Sequence, residues 1–310
     1  MTQGCLIFAH DGTIDYGSQA VLAARLVIKH LGMPVSLVTD KDTIKNINKN
    51  FKKTPFDQII EIPAPESKNT RLLTDHAAIV SNLAARLAIE QYGLPADQLP
   101  MKPVKEVVSF INDSRVLAYD LTPYDRTLVI DSDYLIFSDH LNRYWDWAQD
   151  FLICPGMLYI QENNIGPKDF QINPYTINQL WATTFMFSKT ADTKIFFNLL
   201  KYIQEEYEYF AALYNFDPGQ YRNDFAFSVA CHIIGGHGVD KWHGELPIPL
   251  MLTDADRIVD IKSTGEIVFL LGDTAQHGDY LLSKSYQQDI HLMNKRDILA
   301  NLDKLMELAE

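Results

Sequence analysis

The run Thr127-Leu128-Val129-Ile130-Asp131-Ser132-Asp133-Tyr134-Leu135-Ile136-Phe137 decides the reading of this chain. Its first four residues are mostly apolar and rich in β-branching, as expected of a buried strand. Where that strand ends the backbone can leave its alternation, so Asp131 and Asp133 can face one point. Two such carboxylates are hard oxygen donors suited to Mn2+ or Mg2+. Ligands of open α/β sheets gather at the carboxyl ends of strands. The stretch therefore points to a divalent ion set against a diphosphate, and so to an enzyme using a nucleotide-activated substrate. Asp and Ser also close ordinary strands as plain turn residues.

Working outward, Cys5 to Ala9 reads as a first buried strand and Tyr16 to Leu31 as a helix stopped by Gly32. Val35 to Val38 and Gln58 to Ile62 read as further strands, Thr74 to Tyr92 as a helix, and the stretch holding Pro95, Pro100 and Pro103 as a loop. A short helical segment near Ser114 to Tyr119 precedes the Asp131 strand. Strand, helix, strand in this order predicts an α/β fold with a mostly parallel, doubly wound sheet. The later half reads as more mixed. Ala182 to Phe187 is expected as a strand and Asp192 to Tyr214 as one long helix with Ile195, Leu199, Ile203 and Phe210 inward. Tyr221 to Ile234 reads as another helix. Short strands then lead to a final helix, Lys295 to Leu308, capped by Asn294. No linker or composition break divides the chain, so one domain over 1–310 is expected, with a nucleotide-binding half (1–133) merging into an acceptor-side half (134–310).

The chain has 310 residues, 47% hydrophobic, ample for a large core. Its net charge of -13 disfavours tight non-specific binding to nucleic acid. Cys5, Cys154 and Cys231 have neither zinc-ligand nor redox spacing and read as buried free thiols, which suits a reducing compartment. No stretch reads as a signal peptide or a membrane span, so a cytoplasmic protein without a membrane partner is expected.

The segment Leu121-Thr122-Pro123-Tyr124-Asp125-Arg126 and the strand that leads to Asp131-Ser132-Asp133 resemble GT-A-type glycosyltransferases, above all the glycogenin-like and galactosyltransferase-like enzymes. Trp181 to Lys189 is similar to the strand beside the sugar in that fold, and Arg222-Asn223-Asp224 to an acidic position opening the next helix. Similar proteins occur among tailed bacteriophages, which would put the chain in a host cytoplasm. The resemblance implies a GT-A-like fold and a metal-dependent transferase that moves a hexosyl or pentosyl group from a nucleotide-diphosphate sugar, a UDP-sugar by default.

Site expectations follow from the same resemblance. Asp131, Asp133 and His291 would hold the metal, and Lys295 would reach a phosphate. The family pattern His-x-x-Gly-x-x-Lys is shortened here to His291-Leu292-Met293-Asn294-Lys295. Asp15 and Tyr16, after the first strand, would meet the nucleotide base, although Asp15 could equally cap the helix. Asp11 shares that loop, and Asp40 ends the second strand. Arg115, ahead of Arg71, is the candidate for diphosphate or base, with a surface ion pair as the plain alternative. Asp224 would orient the acceptor, act as base or stabilise an oxocarbenium-like transition state. Trp181 reads as core, and Trp242, in a Gly-rich loop, as an acceptor platform. Three other functions remain open: an aspartyl-nucleophile phosphotransferase or phosphatase, a nucleotidyltransferase, and a non-catalytic nucleotide-sugar-binding protein. The acceptor is a saccharide, a protein side chain or a hydroxylated DNA base.

Overall fold

The computed structural model describes residues 1–64, 69–75, 91, 93, 104–110, 113–160, 171–172, 176–239, 241–272 and 280–310. The chain runs β1 (Gln3–Phe8), α1 (Tyr16–Leu31), β2 (Val35–Thr39), α2 (Lys41–Asn50), β3 (Gln58–Glu61), β4 (Asn69–Asp75) and β5 (Val104–Phe110). A 3-10 turn (Asp113–Leu117) and α3 (Ala118–Leu121) lead to β6 (Arg126–Asp131), β7 (Tyr134–Leu135), β8 (Phe151–Cys154), β9 (Leu158–Tyr159) and β10 (Trp181–Ser188). Three helices follow: α4 (Ala191–Glu205), α5 (Tyr207–Tyr214) and α6 (Asn223–Ile234). The remainder is β11 (Gly244–Glu245), β12 (Leu250–Leu252), β13 (Arg257–Ile261), β14 (Glu266–Gly272), β15 (Tyr280–Tyr286), β16 (Ile290–Leu292), α7 (Lys295–Ala300) and α8 (Leu302–Leu308).

The central sheet has seven strands in the order β11-β8-β10-β6-β1-β2-β3. β10 alone opposes the rest, being antiparallel to both β6 and β8. The architecture is thus mixed α/β with a mostly parallel central sheet, as expected. Alternation along each strand explains why both faces are covered. Cys5, Ile7, Leu128 and Ile130 point into one apolar cluster with Ala20, Ala24 and Val27 of α1. Leu6 and Val129 point into the other, with Phe196 and Leu200 of α4 and Phe227 of α6. From β1 the sheet continues to β2 and β3 on one side and to β6 on the other. The crevice between the carboxyl ends of β1 and β6, where Phe8 pairs with Asp131, is therefore the switch point of the sheet.

A smaller sheet, β7-β16-β12-β9, abuts that edge. It brings β16 antiparallel to β7, with His291 opposite Tyr134. A third sheet, β13-β14-β15, is antiparallel.

Several expectations need correcting. The helix read over Asp192 to Tyr214 is broken at Glu206 into α4 and α5. Its buried face carries Phe196, Phe197, Leu200 and Ile203, while Ile195 is 57% exposed. Adjacent apolar residues there allow two helical phases, and the aromatic one packs. The last helix likewise breaks at Asn301. Helix α6 starts at Asn223, leaving Tyr221 and Arg222 before it. Thr74 and Asp75 belong to β4. The rest of the helix read there, apart from Gln91, and the proline-marked loop lie outside the described residues. Gly32 does cap α1 in the left-handed region (φ 66°), which glycine adopts without strain. Among the described residues no helix is long and apolar enough to cross a membrane.

Candidate active site

A cavity of about 570 Å3 opens at the switch point. Asp131 is the last residue of β6, and Asp133 follows the Ser132 turn into β7. β16 then lies beside β7, and Leu292 N–H donates to the Asp133 carbonyl at 3.0 Å. This pairing carries His291 across the molecule to the two aspartates. Ligand atoms of Asp131, Asp133 and His291 all lie within 4.8 Å of one another. Two carboxylate oxygens and an imidazole nitrogen make a donor set that could hold a divalent metal ion.

Asp133 is 4% exposed. Its Oδ2 lies 2.6 Å from Lys295 Nζ and 3.3 Å from His291 Nε2. Burial alone would push this carboxyl up, but the Lys295 charge and then His291 hold it well below the ordinary carboxylate range. Lys295 moves up: burial pulls it down, and Asp133 outweighs that. The short spacing from His291 to Lys295 works because Asn294 caps α7, its side chain accepting from Asp297 N–H at 3.2 Å. The chain turns sharply at this cap, and Lys295 becomes the first helical residue.

Arg115, from the 3-10 turn, grips Asp131 Oδ1 through Nη2. Its Nη1 donates to the Ala182 carbonyl at 3.3 Å. Burial lowers the guanidinium's pKa, with Asp224 and then Asp133 pulling it back up. An arginine remains charged regardless. The four groups balance formally: Asp131 and Asp133 against Arg115 and Lys295. A divalent ion added to this neutral set would leave a positive centre matched to a diphosphate.

The opposite wall depends on a bulge. β10 pairs with β8 at Trp181 and resumes only at Phe185, so Ala182 falls where the register shifts. Asp224 takes the Ala182 N–H at 2.9 Å, while Arg115 takes its carbonyl. The backbone of one residue thus aligns two candidate residues from different elements. The other Asp224 oxygen is 3.3 Å from Arg222 Nη2. Asp224, Arg115, Tyr16 and Lys295 all line the cavity with Asp131, Asp133 and His291.

Asp15 lies elsewhere. It caps α1, accepting from Ser18 N–H and Ser18 Oγ at 2.7 Å each. Asp40 likewise caps α2 through the amides of Asp42 and Thr43. It also meets His10 Nδ1 at 3.1 Å, and His10 is a cavity residue that the sequence did not single out. Asp11 accepts from Gly17 N–H and Asn46 at 2.8 Å. The side chain of Arg71 lies outside the described residues.

Trp181 belongs to a core cluster, as expected, whereas Trp242 packs against the other cluster. Trp242 stacks on Phe151 and Phe196, with ring centroids 5.3 and 4.9 Å apart. Trp181, though buried, lines the cavity and meets the His291 ring edge-on at 5.9 Å. Tyr221 is a further cavity residue without a forecast role. Trp181 Nε1 and Tyr221 Oη are buried and have no hydrogen-bond partner among the described residues. Each such group costs about 1–3 kcal/mol while unmet.

No family model and no curated protein matches the chain. Among solved structures it is similar to the glycosyltransferase GlyE of Streptococcus pneumoniae TIGR4, at 10% identity and TM-score 0.38, covering 79% of this chain and 45% of that one. The chain thus spans less than half the length of GlyE. It is also similar to the galactosyltransferase LgtC in complex with donor and acceptor sugar analogs, at 12% identity and TM-score 0.42, covering 81% and 75%. A third similar structure is a putative glucose-1-phosphate thymidylyltransferase from Bacillus anthracis, at 11% identity and TM-score 0.36, covering 79% and 87%. At TM-scores this low the likenesses carry no weight on function, and the strand order and site geometry stand on their own.

Proposed function

We propose that this chain is a metal-dependent glycosyltransferase that moves a hexosyl or pentosyl group from a nucleotide-diphosphate sugar, UDP by default, to a hydroxyl acceptor. One observation carries the reading: Asp131, Asp133 and His291 converge within 4.8 Å at the sheet's switch point, inside a cavity also lined by Lys295 and Arg115. When bound there, Mn2+ or Mg2+ would supply positive charge opposite the charge that develops on the leaving diphosphate.

The chain's own residues have separable tasks. Lys295 stays protonated beside Asp133 and offers a fixed cation for the phosphate farther from the base. Arg115 braces Asp131 and, through Ala182, the wall that carries Asp224. Asp224, held as an acceptor, orients the attacking hydroxyl or stabilises an oxocarbenium-like transition state. Tyr16 opens α1 at the cavity rim and stacks on the base. Asp15 sits beside it as the helix cap. The acceptor is a saccharide, a protein side chain or a hydroxylated DNA base, bound from the Asp224 side. The three thiols are free and buried, which suits a cytoplasmic protein.

The test is thermal stability against nucleoside diphosphates and their sugar conjugates with Mn2+, Mg2+ or EDTA. A ligand at about 100 times its Kd adds roughly 2.7 kcal/mol, a shift of several degrees. A metal-dependent shift with one base is expected. No shift with any ligand would return Asp131-Ser132-Asp133 to a strand-end turn.

A further inference from the structure

Two buried polar side chains, His10 and Ser114, have no task in the chemistry proposed above, yet they are joined to one another beneath the cavity. Asp40 Oδ2 meets His10 Nδ1 at 3.1 Å, and His10 Nε2 meets Ser114 Oγ at 3.4 Å. The three residues come from the start of α2, the loop after β1 and the 3-10 turn that also carries Arg115. We infer that His10 and Ser114 are positioning residues for Arg115, fixing the turn from which its guanidinium faces the donor's diphosphate. The assignment of that diphosphate rests on the donor proposed above.

The three-residue chain has a direction. Asp40 Oδ1 takes the Asp42 and Thr43 amides, and Oδ2 also takes the Thr43 hydroxyl at 2.9 Å. Burial pushes this carboxyl up, but the Thr43 amide and hydroxyl, with His10, outweigh it and lower its pKa. An ionised carboxylate only accepts, so in the neutral imidazole Nδ1 carries the proton and Nε2 is left as an acceptor. The Ser114 hydroxyl therefore donates to Nε2. Both ring nitrogens are used within the protein, so His10 lines the cavity as a support and not as a polar contact for a ligand.

A buried polar chain whose members are all paired makes its surroundings rigid. What this one holds is the turn Asp113–Leu117. A 3-10 turn has poor hydrogen-bond geometry and little stability of its own, so its place is set by what grips it. Two side chains do so: Gln204 Nε2 of α4 donates to the Asp113 carbonyl at 2.9 Å, and His10 takes Ser114. Arg115 is the next residue, and its fork meets Asp131 and the Ala182 carbonyl. A flexible side chain gives up much rotamer freedom to hold such a geometry, and a fixed backbone beneath it reduces what remains to be lost. Carboxylate, imidazole and hydroxyl in this order also describe an activated serine. Ser114 is buried, which favours support over attack, and the experiment separates the two.

Ser114→Ala removes the hydroxyl and leaves the Gln204 anchor in place. Titration calorimetry with saturating Mn2+ would compare UDP, GDP, dTDP, ADP and CDP. For the nucleoside diphosphate that wild type binds, the variant should be about fivefold weaker, while its affinity for Mn2+ alone stays within about twofold of wild type. In an Arg115→Ala background the same substitution should change the affinity by less than about twofold, because the group being positioned is gone. An equal loss in both backgrounds would overturn the positioning role, as would an unchanged affinity in Ser114→Ala. Nitrogen-resolved NMR of the ligand-free protein gives a second arm that needs no donor. His10 should carry its proton on Nδ1, and the Arg115 guanidinium signals should move in Ser114→Ala. A proton on Nε2, or Arg115 signals that stay in place, would overturn the inference. Labelling of Ser114 by a fluorophosphonate would also overturn it, since the hydroxyl would then be a nucleophile. Wild-type protein that binds no nucleoside diphosphate would remove the donor assignment, and the Arg115 signals alone would then decide the positioning.

Discussion

Two acidic regions share one edge of the sheet and handle their charge differently. In the loops after β1 and β2, Asp15 and Asp40 are satisfied mainly by helix amides and hydroxyls within three residues. Asp11 draws on Gly17 N–H and Asn46 in the same two helices. Beyond β6, Asp131 and Asp133 are met instead by side chains distant in sequence: Arg115, His291 and Lys295. The first arrangement is what a helix start needs to form. The second assembles only once the whole fold is in place, and gathers more charge than local structure requires. That difference separates acids that build helices from the two acids to which the metal site is assigned in the proposed function.

The largest effect should come from removing a binding acid. Asp131→Ala should lower kcat for sugar transfer, or for donor hydrolysis, by about 10^2–10^3-fold or more. Near wild-type turnover would make Asp131 one more strand-end aspartate. Lys295→Ala should come next, because it leaves Asp133 buried without its principal cation. A stability loss of about 3–5 kcal/mol is expected from denaturant unfolding. The same variant should lower kcat more than it raises KM, and a pure KM effect would confine Lys295 to ground-state binding.

Asp289 sharpens the comparison through pH. It accepts from Phe137 N–H, Ser138 N–H and Ser138 Oγ, neutral donors only, at 3.0–3.1 Å. Burial therefore prevails, and its pKa rises from 3.8 to about 6, the opposite of Asp133. The stability linked to this raised pKa is complete below pH 3.8 and is lost as pH climbs through about 6. Between those limits wild-type protein should lose stability relative to Asp289→Asn, by at most about 1.4 kcal/mol per pH unit. Parallel stability curves from pH 4 to 7 would show that Asp289 does not titrate with folding. The smallest effect belongs to the caps. Asp40→Ala should cost about 1 kcal/mol while leaving Mn2+ affinity unchanged, and a lost Mn2+ site would erase the distinction between the two regions.

Legibility in the sequence follows the same division. Local signals carried the early elements: the period of α1, the cap at Gly32, and the apolar run that became β6. The Asp131–Asp133 pair and the late His291–Lys295 pair could be set together from residue type and resemblance, because their chemistry is specific. What depended on packing was not readable. Ile195-Phe196-Phe197 and Leu199-Leu200 permit two helix phases, and only the core cluster chooses between them. β8 is four apolar residues with no period to display, and β15 lies in Tyr280–Tyr286, where no strand was expected. That Trp181 and Tyr221 line the cavity depends on the β10 bulge and on packing, neither of which leaves a mark in residue order.

The central claim is that Asp131, Asp133 and His291 hold a divalent ion that receives a nucleoside diphosphate. Electron paramagnetic resonance of Mn2+ tests it most directly, by following the free six-line signal as protein is added with and without UDP. The account predicts that one equivalent of protein removes signal beyond what UDP alone removes, that UDP deepens the loss, and that His291→Ala abolishes both. Free Mn2+ that is unaffected by wild-type protein, or taken up equally by His291→Ala, would contradict it.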